Sequence, residues 1–285
     1  MLRRFIYKNL PVTKIYIYIA KVLYFFTTLV YGKKPRIIIR DSISYEVDLS
    51  EGINLSLFLF GSFQKHVTKS ELLSIPKEAT IIDVGANFGL MSLPFAQLVP
   101  QGKVYSFEPT HYALEKLKKN LSLNPELAKH IEVINSFVSA KTTENAGIKA
   151  FSSWKVNNEK AEVMHPTHLG AAKSAEGVPS ITLSDFCKKE NLSRLDFIKI
   201  DTDGHEYEVL QGASEAITKY RPQIIFEIGL YVMTEKGIDF SFYSNYFGKL
   251  NYRLYDSNSK AQITLENHKK YIPAKATIDI IAKPE

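Results

Sequence analysis

From residue 79 onward, short apolar segments typical of buried strands alternate with longer segments typical of helices. The apolar segments are TIIDV, KVYSFE, IEVIN, LDFIKID and PQIIFEI, which cover residues 80–84, 103–108, 131–135, 195–201 and 222–228. The helical segments between them are suited to crossover connections, which join parallel strands and cover both faces of one sheet. The alternation therefore predicts an α/β fold with a mostly parallel sheet.

The rest of the pattern divides the chain into three parts. Helices are predicted at 90–98, 111–123, 182–190, 206–220 and 240–250, two further strands at 252–256 and 277–283, and an irregular polar stretch at 138–179. A chain of 285 residues is long enough for one large core with an appendage. We predict a basic, aromatic arm over residues 1–36, a small strand and helix extension over 37–78, and the main domain over 79–285.

The arm carries the charge asymmetry of the chain. Residues 1–40 contain nine Lys or Arg and no Asp or Glu, whereas the other residues hold 27 basic and 30 acidic side chains. The globular part is therefore close to neutral, which argues against an enzyme that binds nucleic acid in its cleft. The single cysteine, Cys187, excludes an internal disulfide and fits a reducing compartment, so we predict a cytoplasmic location.

Within the arm, the stretch IYIYIAKVLYFFTTLVY at residues 15–31 is apolar and aromatic between basic flanks. It is slightly short for a membrane span, which needs roughly 20 apolar residues, and it contains Lys21. No cleavage site of the A-x-A type follows it, which argues against a removed signal peptide. Three interpretations stay open: an interfacial helix on an anionic leaflet at the cytoplasmic face, a helix docked on the core or on a second subunit, and a signal anchor.

Polar residues just after the strands are the candidates for a binding site, because ligands of parallel α/β sheets bind beyond the carboxyl ends of the strands. The first strand runs into DVGANFG, residues 83–89, whose glycines permit a tight turn with its backbone close to a ligand. The second strand ends in Glu108, which can accept hydrogen bonds from both hydroxyls of a ribose. Together they predict a site for an adenosine-containing cofactor.

The turn also discriminates between two such cofactors. A dinucleotide site usually presents G-x-G-x-x-G, so that the backbone can meet the pyrophosphate. In this chain Asn87 stands between Gly85 and Gly89 where the middle glycine is expected. S-adenosylmethionine has no phosphate, so a polar side chain at this position favours it over a dinucleotide.

Three spaced segments, DVGANFG, FEP and IKIDTDGHEYEVLQGA, resemble the FkbM family of S-adenosylmethionine-dependent methyltransferases. The resemblance extends from residue 83 to residue 229, about half of the chain. It implies a Rossmann-like class I methyltransferase fold, with helices on both faces of a seven-stranded sheet that has five parallel crossover strands and a last strand inserted antiparallel.

The resemblance also implies a set of functional residues. The cofactor-binding residues would be Asp83, Gly85, Asn87, Gly89, Glu108, Ser136, Phe137 and Asp201. The glycine turn would surround the methionine part, Glu108 would hold the ribose, and the residues after the third strand would lie near the adenine. The implied reaction is O-methylation of a hydroxyl on a sugar, a glycolipid or a secondary metabolite, with Asp201 and then His205 as the candidate catalytic residues.

Two motifs depart from the family pattern. The fourth strand ends in I-D-T-D-G at residues 200–204, where the family usually has I-D-V-E-G. The segment Gly-Ser-Phe-Gln at residues 61–64 stands where a Gly-x-Tyr-Glu segment is common, so its carboxylate is missing and a different substrate pocket is expected. We predict that the segment 151–177, which contains Trp154, covers the acceptor pocket.

Two other functions stay open. Asp201 and Asp203 could hold a divalent cation on a nucleotide-sugar, as in a metal-dependent glycosyltransferase. A membrane-peripheral binding protein that keeps the fold without turnover is the non-enzymatic alternative. His165 and His168 have no further ligands nearby in the sequence, so no metal site is predicted. The expected partner is a small-molecule, glycan-linked or lipid-linked hydroxyl acceptor, and a homo-oligomer stays open.

Overall fold

The computed structural model describes residues 12–61, 65–68, 70–148, 150–152, 155–156, 171–173, 175–274 and 276–285. Its strands, numbered in chain order, are β1 Arg36–Arg40, β2 Ile43–Val47, β3 Thr80–Val84, β4 Lys103–Phe107, β5 Ile131–Ile134, β6 Phe137–Val138, β7 Ala150–Ser152, β8 Ala171–Lys173, β9 Ser180–Ile181, β10 Phe197–Ile200, β11 Gln223–Gly229, β12 Tyr252–Asp256, β13 Gln262–Ile263 and β14 Thr277–Pro284. Its helices are α1 Val12–Tyr31, α2 Gly52–Phe60, α3 Lys65–Thr68, α4 Ser92–Leu98, α5 His111–Ser122, α6 Pro125–Ala128, α7 Leu183–Lys189, α8 Glu206–Gly212, α9 Ser214–Tyr220, α10 Leu230–Glu235, α11 Phe240–Lys249 and α12 His268–Tyr271.

The predicted α/β fold is confirmed by the main sheet, whose strand order is β13-β12-β14-β11-β10-β3-β4-β5. Five neighbouring strands, β5, β4, β3, β10 and β11, run parallel. Strand β14 is antiparallel to both of its neighbours and lies between β11 and β12, as the resemblance implied. These strand directions are those of a class I methyltransferase sheet.

The predicted strand count was wrong by one. The sheet has eight strands in the described part of the chain, and the additional one is β13, which pairs antiparallel with β12 through Leu254–Ile263 and Tyr255–Gln262. A strand of two residues has too few positions to show an alternation of apolar and polar side chains. Its existence depends on the pairing with β12, which the local sequence does not show.

Helices cover both faces of the sheet, as predicted. One face packs against α7, α8, α9 and α11 through side chains that include Phe186, Val209, Ile217 and Phe247. The other packs against α2 and α4 and the β1–β2 hairpin, through side chains that include Leu55, Phe95 and Ile43. The parallel strands are therefore buried on both sides, which explains why they are almost continuously apolar in sequence.

The predicted helix over 206–220 is in fact two helices, α8 and α9, with the break at Ala213. The hydroxyl group of Ser184 causes the break, because it donates to the carbonyl of Gly212 at 2.8 Å and accepts from the N–H of Ala216 at 3.3 Å. In a continuous helix these two backbone groups would bond to each other. A side chain from α7 is thus inserted into the hydrogen-bond ladder.

The β1–β2 hairpin is attached to the main domain by two asparagines, one on α5 and one just after the end of this helix. Asn120 accepts from the N–H of Glu46 at 2.8 Å, and Asn124 accepts from the N–H of Ser44 at 2.9 Å. These contacts satisfy the free edge of β2. Among the described residues, no helix combines the length and the apolarity that crossing a membrane requires.

Candidate active site

Strands β3, β4, β5, β10 and β11 end at one edge of the sheet because they are parallel. The residues predicted for the site follow these strand ends: the glycine turn after β3, Glu108 after β4, Ser136 after β5 and Asp201 after β10. The fold therefore brings the predicted residues to a common edge, although they are up to 118 positions apart in the sequence.

The turn after β3 begins at Gly85, which has a φ of +79°. The N–H groups of Gly85 and Ala86 both donate to the carbonyl of Phe107, at 3.0 and 2.9 Å. A Cβ atom on Gly85 would lie 1.9 Å from the carbonyl oxygen of Asp201. Glycine is required here by its backbone conformation and by the close approach of β10.

The second half of the turn is held by α5. Asn87 and Gly89 both have positive φ, +50° and +90°. A Cβ atom on Gly89 would approach Leu117 to 2.8 Å, and the amide of Asn120 donates to the carbonyl of Phe88 at 2.8 Å. The turn backbone is thus held in place by α5 on the side that faces this helix.

The carboxylate of Glu108 is connected directly to this turn. Its Oε2 accepts from the backbone N–H of Asn87 at 2.9 Å, and its Oε1 accepts from the N–H and the hydroxyl of Thr110 at 2.9 and 2.6 Å. Burial raises the pKa of Glu108, and the hydrogen bonds from Thr110 and Asn87 oppose that rise. The acidic residue and the glycine turn therefore form one hydrogen-bonded unit.

The residues after β5 form the neighbouring wall. Ser136 is buried and its hydroxyl donates to the carbonyl of Pro179 at 3.0 Å, while Phe137 is 8% exposed. The side chain of Asn135, which the sequence analysis did not single out, donates to the carbonyls of Glu108 and Pro109 at 2.9 and 3.0 Å. It ties the end of β5 to the end of β4.

Asp83 lies beneath the turn and is fully buried. Its Oδ2 accepts from the hydroxyl of Ser92 at 2.6 Å, and its Oδ1 lies 3.3 Å from Nζ of Lys199. Lys199 also donates to the carbonyl of Gly85 at 2.9 Å and lies 3.6 Å from Oδ2 of Asp201. Asp83 is thus a support of the turn, and its direct contact with a cofactor stays a prediction.

Lys199 is a buried cation between two carboxylates. Burial by itself lowers the pKa of this lysine, and the attraction of Asp83 and Asp201 outweighs it, so that the pKa is raised above its ordinary value. The ammonium group therefore stays charged within the sheet, where it links β3, β10 and the glycine turn.

The turn after β10 is held by Glu206, which is buried. Its Oε1 accepts from the N–H and the hydroxyl of Thr202 at 2.8 and 2.9 Å and from the N–H of Gly204 at 3.3 Å. Asp203 lies in this turn at a φ of +53°. Asp203 is exposed, and partial desolvation of its carboxyl group, with the neighbouring Asp201 and Glu206, raises its pKa to about 7.

Two further carboxylates extend the site from Asp201 across the sheet. Glu227 on β11 lies opposite Asp279 on β14 in the strand pairing. Asp201 directly follows the β10 residue that pairs with Phe226, and Glu227 directly follows Phe226, so these two carboxylates are neighbours across the strands. Burial, with the neighbouring Asp201, raises the pKa of Glu227 well above its ordinary value, although the hydroxyl of Thr277 donates to it. We call Asp201, Glu227 and Asp279 the carboxylate row.

Two histidines differ in their relation to this row. His66 on α3 contacts Oδ2 of Asp279 through its Nε2. His205, which the sequence analysis favoured, is half-buried at the start of α8, with its Nδ1 at 3.3 Å from Nζ of Lys236 and 3.9 Å from Glu208.

Within the part of the chain that the structure describes, no three His, Cys, Asp or Glu side chains are grouped as ligands of a metal ion.

The segment 151–177, predicted to cover the acceptor pocket, is described only in part. Val156 is part of the core on the sheet face that is covered by α2, α4 and the β1–β2 hairpin, which we call the second core. Its N–H donates to the carbonyl of Ser50 at 2.7 Å, and Lys155 forms a bridge with Glu51. This part of the segment therefore reaches the start of α2. Trp154, His165 and His168, and residues 62–64 of the Gly-Ser-Phe-Gln segment, lie outside the described residues.

The comparison with protein families decides the family. Residues 83–254, more than half of the chain, match the model of the methyltransferase FkbM domain. The chain belongs to the FkbM methyltransferase family. The match spans the glycine turn, Glu108 and Asp201, so the predicted family resemblance is confirmed.

Curated relatives of the FkbM chain include methyltransferases. Methyltransferase sdnD of Sordaria araneosa is 28% identical over 172 residues, which are 51% of this chain and 64% of the relative. The 2-O-methyltransferase NoeI of Sinorhizobium fredii is 26% identical over 171 residues, which are 56% of this chain and 67% of the relative. The chain thus spans less than two thirds of the length of sdnD.

Among solved structures, the methyltransferase FkbM of Methylobacillus flagellatus matches with a TM-score of 0.48 and 17% sequence identity. The alignment covers 75% of this chain and 46% of that protein.

Sequence reasoning missed several polar residues of this FkbM domain. They are Asn135, Lys199, His66 and Asp279. Lys199 did carry a signal, because it is the one charged side chain in the apolar strand FIKI, and a buried charge requires a partner. The contact between His66 and Asp279 joins residues 213 positions apart and had no local signal.

Proposed function

We propose that this FkbM chain transfers the methyl group of S-adenosylmethionine to a hydroxyl group of a sugar, a glycolipid or a secondary metabolite. The observation that carries the proposal is the hydrogen bond between Glu108 and the N–H of Asn87. It joins an acidic side chain suited to a ribose with a glycine turn suited to the methionine part. A hydroxyl acceptor is supported by the name of the relative NoeI, a 2-O-methyltransferase.

In this proposal the cofactor contacts come from the carboxyl edge of the sheet. The contacting residues are Gly85, Asn87, Gly89, Glu108, Ser136, Phe137 and Asp201. Asp83 contributes from beneath, because its ion pair with Lys199 holds the lysine that donates to the carbonyl of Gly85. The carboxylate row continues from Asp201 away from Glu108, so it lines the acceptor side.

Methyl transfer is an in-line displacement. A bond forms between the acceptor oxygen and the methyl carbon while the bond between that carbon and sulfur breaks, and S-adenosylhomocysteine leaves. Alignment of the acceptor with the carbon–sulfur bond supplies most of the acceleration. The hydroxyl proton goes to a base, and we assign Asp201 to this role, with His205 as the second candidate.

Exchange of Glu108 for glutamine is expected to weaken binding of S-adenosylmethionine by about 30- to 100-fold, because charge-assisted hydrogen bonds to the ribose are lost. Isothermal titration calorimetry measures this change. Exchange of Glu115 for glutamine is the matched control, since Glu115 is exposed on α5. Equal affinities of the two variants would remove Glu108 from the cofactor site.

The same titration separates the proposed enzyme from the glycosyltransferase alternative. S-adenosylmethionine is expected to bind without added metal. A UDP-sugar is not expected to bind, even when manganese is present. Binding of the UDP-sugar alone would overturn the proposal. Release of S-adenosylhomocysteine with a panel of sugar, glycolipid and phenolic acceptors tests for turnover, and binding without any turnover would favour the inactive binding protein.

Exchange of Asp201 for asparagine is expected to lower kcat by about 100-fold, because a positioned base contributes at least that factor. The variants His205→Asn and His66→Asn, assayed beside it across pH, compare the other candidate bases. A loss of kcat in His205→Asn that exceeds the loss in Asp201→Asn would assign the base to His205. The larger loss in His66→Asn would assign it to the pair with Asp279.

We also propose a cytoplasmic location and no nucleic-acid partner. Cys187 is a free, buried cysteine, and burial raises the pKa of its thiol to about 11. A free thiol fits a reducing compartment. The near balance of acidic and basic residues after residue 40 argues against a basic cleft of the kind that binds nucleic acid.

A further inference from the structure

Helix α1 is apolar on two opposite faces. From Tyr18 onward, the side chains of Ala20, Tyr24 and Thr27 are turned toward the domain, where Ala20 and Tyr24 pack against the second core and Thr27 is buried. On the opposite side lie exposed residues: Tyr18, Val22, Phe25, Phe26 and Leu29. A helix that covers a core in water normally carries polar residues on its outer side.

The outer face of α1 has a fixed direction, because the end of the helix is attached to α2. The ring of Tyr31 packs edge-on against Phe58 with the centroids 5.2 Å apart. The guanidinium of Arg36 lies over both rings and donates to the carbonyls of Tyr31 and Gly32. The helix therefore lies along the domain, and its exposed face points away from it.

Apolar exposure is concentrated around this helix. Of the thirteen large hydrophobic residues that are exposed among the described side chains, eleven lie between residues 18 and 60. Besides α1 they include Ile37 and Ile39 on the outer side of β1, and Phe60 at the end of α2. Leu29 and Phe25 are 72% and 61% exposed, so this is a surface of bulky side chains in water.

The same region is positively charged. Residues 1–40 hold nine basic and no acidic side chains, and Lys33 and Lys34 are exposed directly after α1. An apolar and aromatic face bordered by lysines and arginines is complementary to the surface of an anionic bilayer, where rings enter the head-group region and cations meet phosphates. We name the exposed residues of α1, β1 and Phe60, with Lys33 and Lys34, the arm surface.

We propose that the arm surface docks on a membrane with anionic phospholipid head groups, with α1 lying in the plane of the interface. The helix axis then stays parallel to the face of the domain that it covers, and the outer side chains of α1 enter the lipid. This inference is independent of methyl transfer, because none of these residues belongs to the cofactor turn or to the carboxylate row.

Vesicle co-sedimentation of the full chain tests the proposal. Wild-type protein is expected to bind phosphatidylcholine vesicles that contain phosphatidylserine. Its binding should be weaker to vesicles of pure phosphatidylcholine, and weaker to the anionic vesicles at high salt concentration. The double variant Phe25→Ser, Leu29→Ser is expected to lose binding by about 10-fold or more, because the buried apolar area falls. The matched control is Leu98→Ser, Leu265→Ser, which changes the two exposed residues outside the region and leaves binding unchanged.

A second variant, Lys33→Ala, Lys34→Ala, leaves the helix intact and is expected to weaken binding only to vesicles with phosphatidylserine. The affinity for S-adenosylmethionine and the melting curve show that each variant is folded. Absence of wild-type binding to anionic vesicles, or equal loss in the control variant, would overturn the proposal. A wild-type dimer that Phe25→Ser, Leu29→Ser converts to a monomer, without vesicle binding, would assign the surface to a second copy of the chain.

Discussion

Replacing Gly85 with alanine is expected to lower the free energy of unfolding by at least about 3 kcal/mol. The residue has a φ of +79°, where a side chain costs about 1–2 kcal/mol, and the new Cβ atom would lie 1.9 Å from the carbonyl oxygen of Asp201. That carbonyl cannot move away cheaply, because the N–H of Asp201 is bonded to the carbonyl of Val84 in the sheet at 3.1 Å. Urea denaturation followed by circular dichroism measures the loss.

Gly177 provides the control for this substitution. It has nearly the same conformation, with a φ of +72°, and apart from its chain neighbours no atom of the described residues would lie within 4 Å of its Cβ. The variant Gly177→Ala is expected to lose only about 1–2 kcal/mol, the conformational part of the effect. Equal losses in the two variants would mean that the close approach between β3 and β10 does not determine the identity of residue 85.

Replacing Lys199 with methionine is expected to lower the free energy of unfolding by about 3–5 kcal/mol, as for the removal of one partner from a buried ion pair. The exchange leaves the fully buried carboxylate of Asp83 without its counter-charge and the carbonyl of Gly85 without its donor. Since this lysine holds the glycine turn through its hydrogen bond to the carbonyl of Gly85, binding of S-adenosylmethionine should weaken as well. Denaturation and calorimetry on the same preparation measure both effects.

The variant Lys118→Met is the matched control, because Lys118 is exposed on α5 and its exchange should change stability by no more than about 0.5 kcal/mol. The combination of Lys199→Met with Asp83→Asn removes both charges, and it should recover part of the lost stability. A double variant as unstable as Lys199→Met would contradict the ion pair as the cause.

The strands of the parallel sheet were predicted closely, and the structure brings the residues predicted for the site to one edge of that sheet. The five apolar segments became β3, β4, β5, β10 and β11, because strands covered on both faces are apolar throughout and are bounded by turn residues. The interruption between α8 and α9 was not predicted. It is caused by the hydroxyl of Ser184, which comes from another helix and leaves no trace in the periodicity of 206–220.

The candidate site divides in the same way. Glu108 and the glycine turn were predicted because each lies at the end of its own strand, and the structure joins them by one hydrogen bond. Lys199, which supports that turn from beneath, and Asn135, which ties the end of β5 to Glu108 and Pro109, were missed. Their roles depend on which strands are neighbours, and β10 lies beside β3 although more than a hundred residues separate them.

The kind and order of the elements, the glycine turn and Glu108 at the strand ends, and the concentration of basic charge in the arm could all be predicted from the amino-acid sequence. These are properties of local periodicity and composition. The tertiary structure sets which polar side chains meet: Lys199 with Asp83 and Asp201, and His66 with Asp279. A buried charge is stabilised by partners from elements that are distant in the sequence, so local patterns do not show its pairing. The direction of the exposed face of α1 likewise depends on a distant contact, the packing of Tyr31 against Phe58.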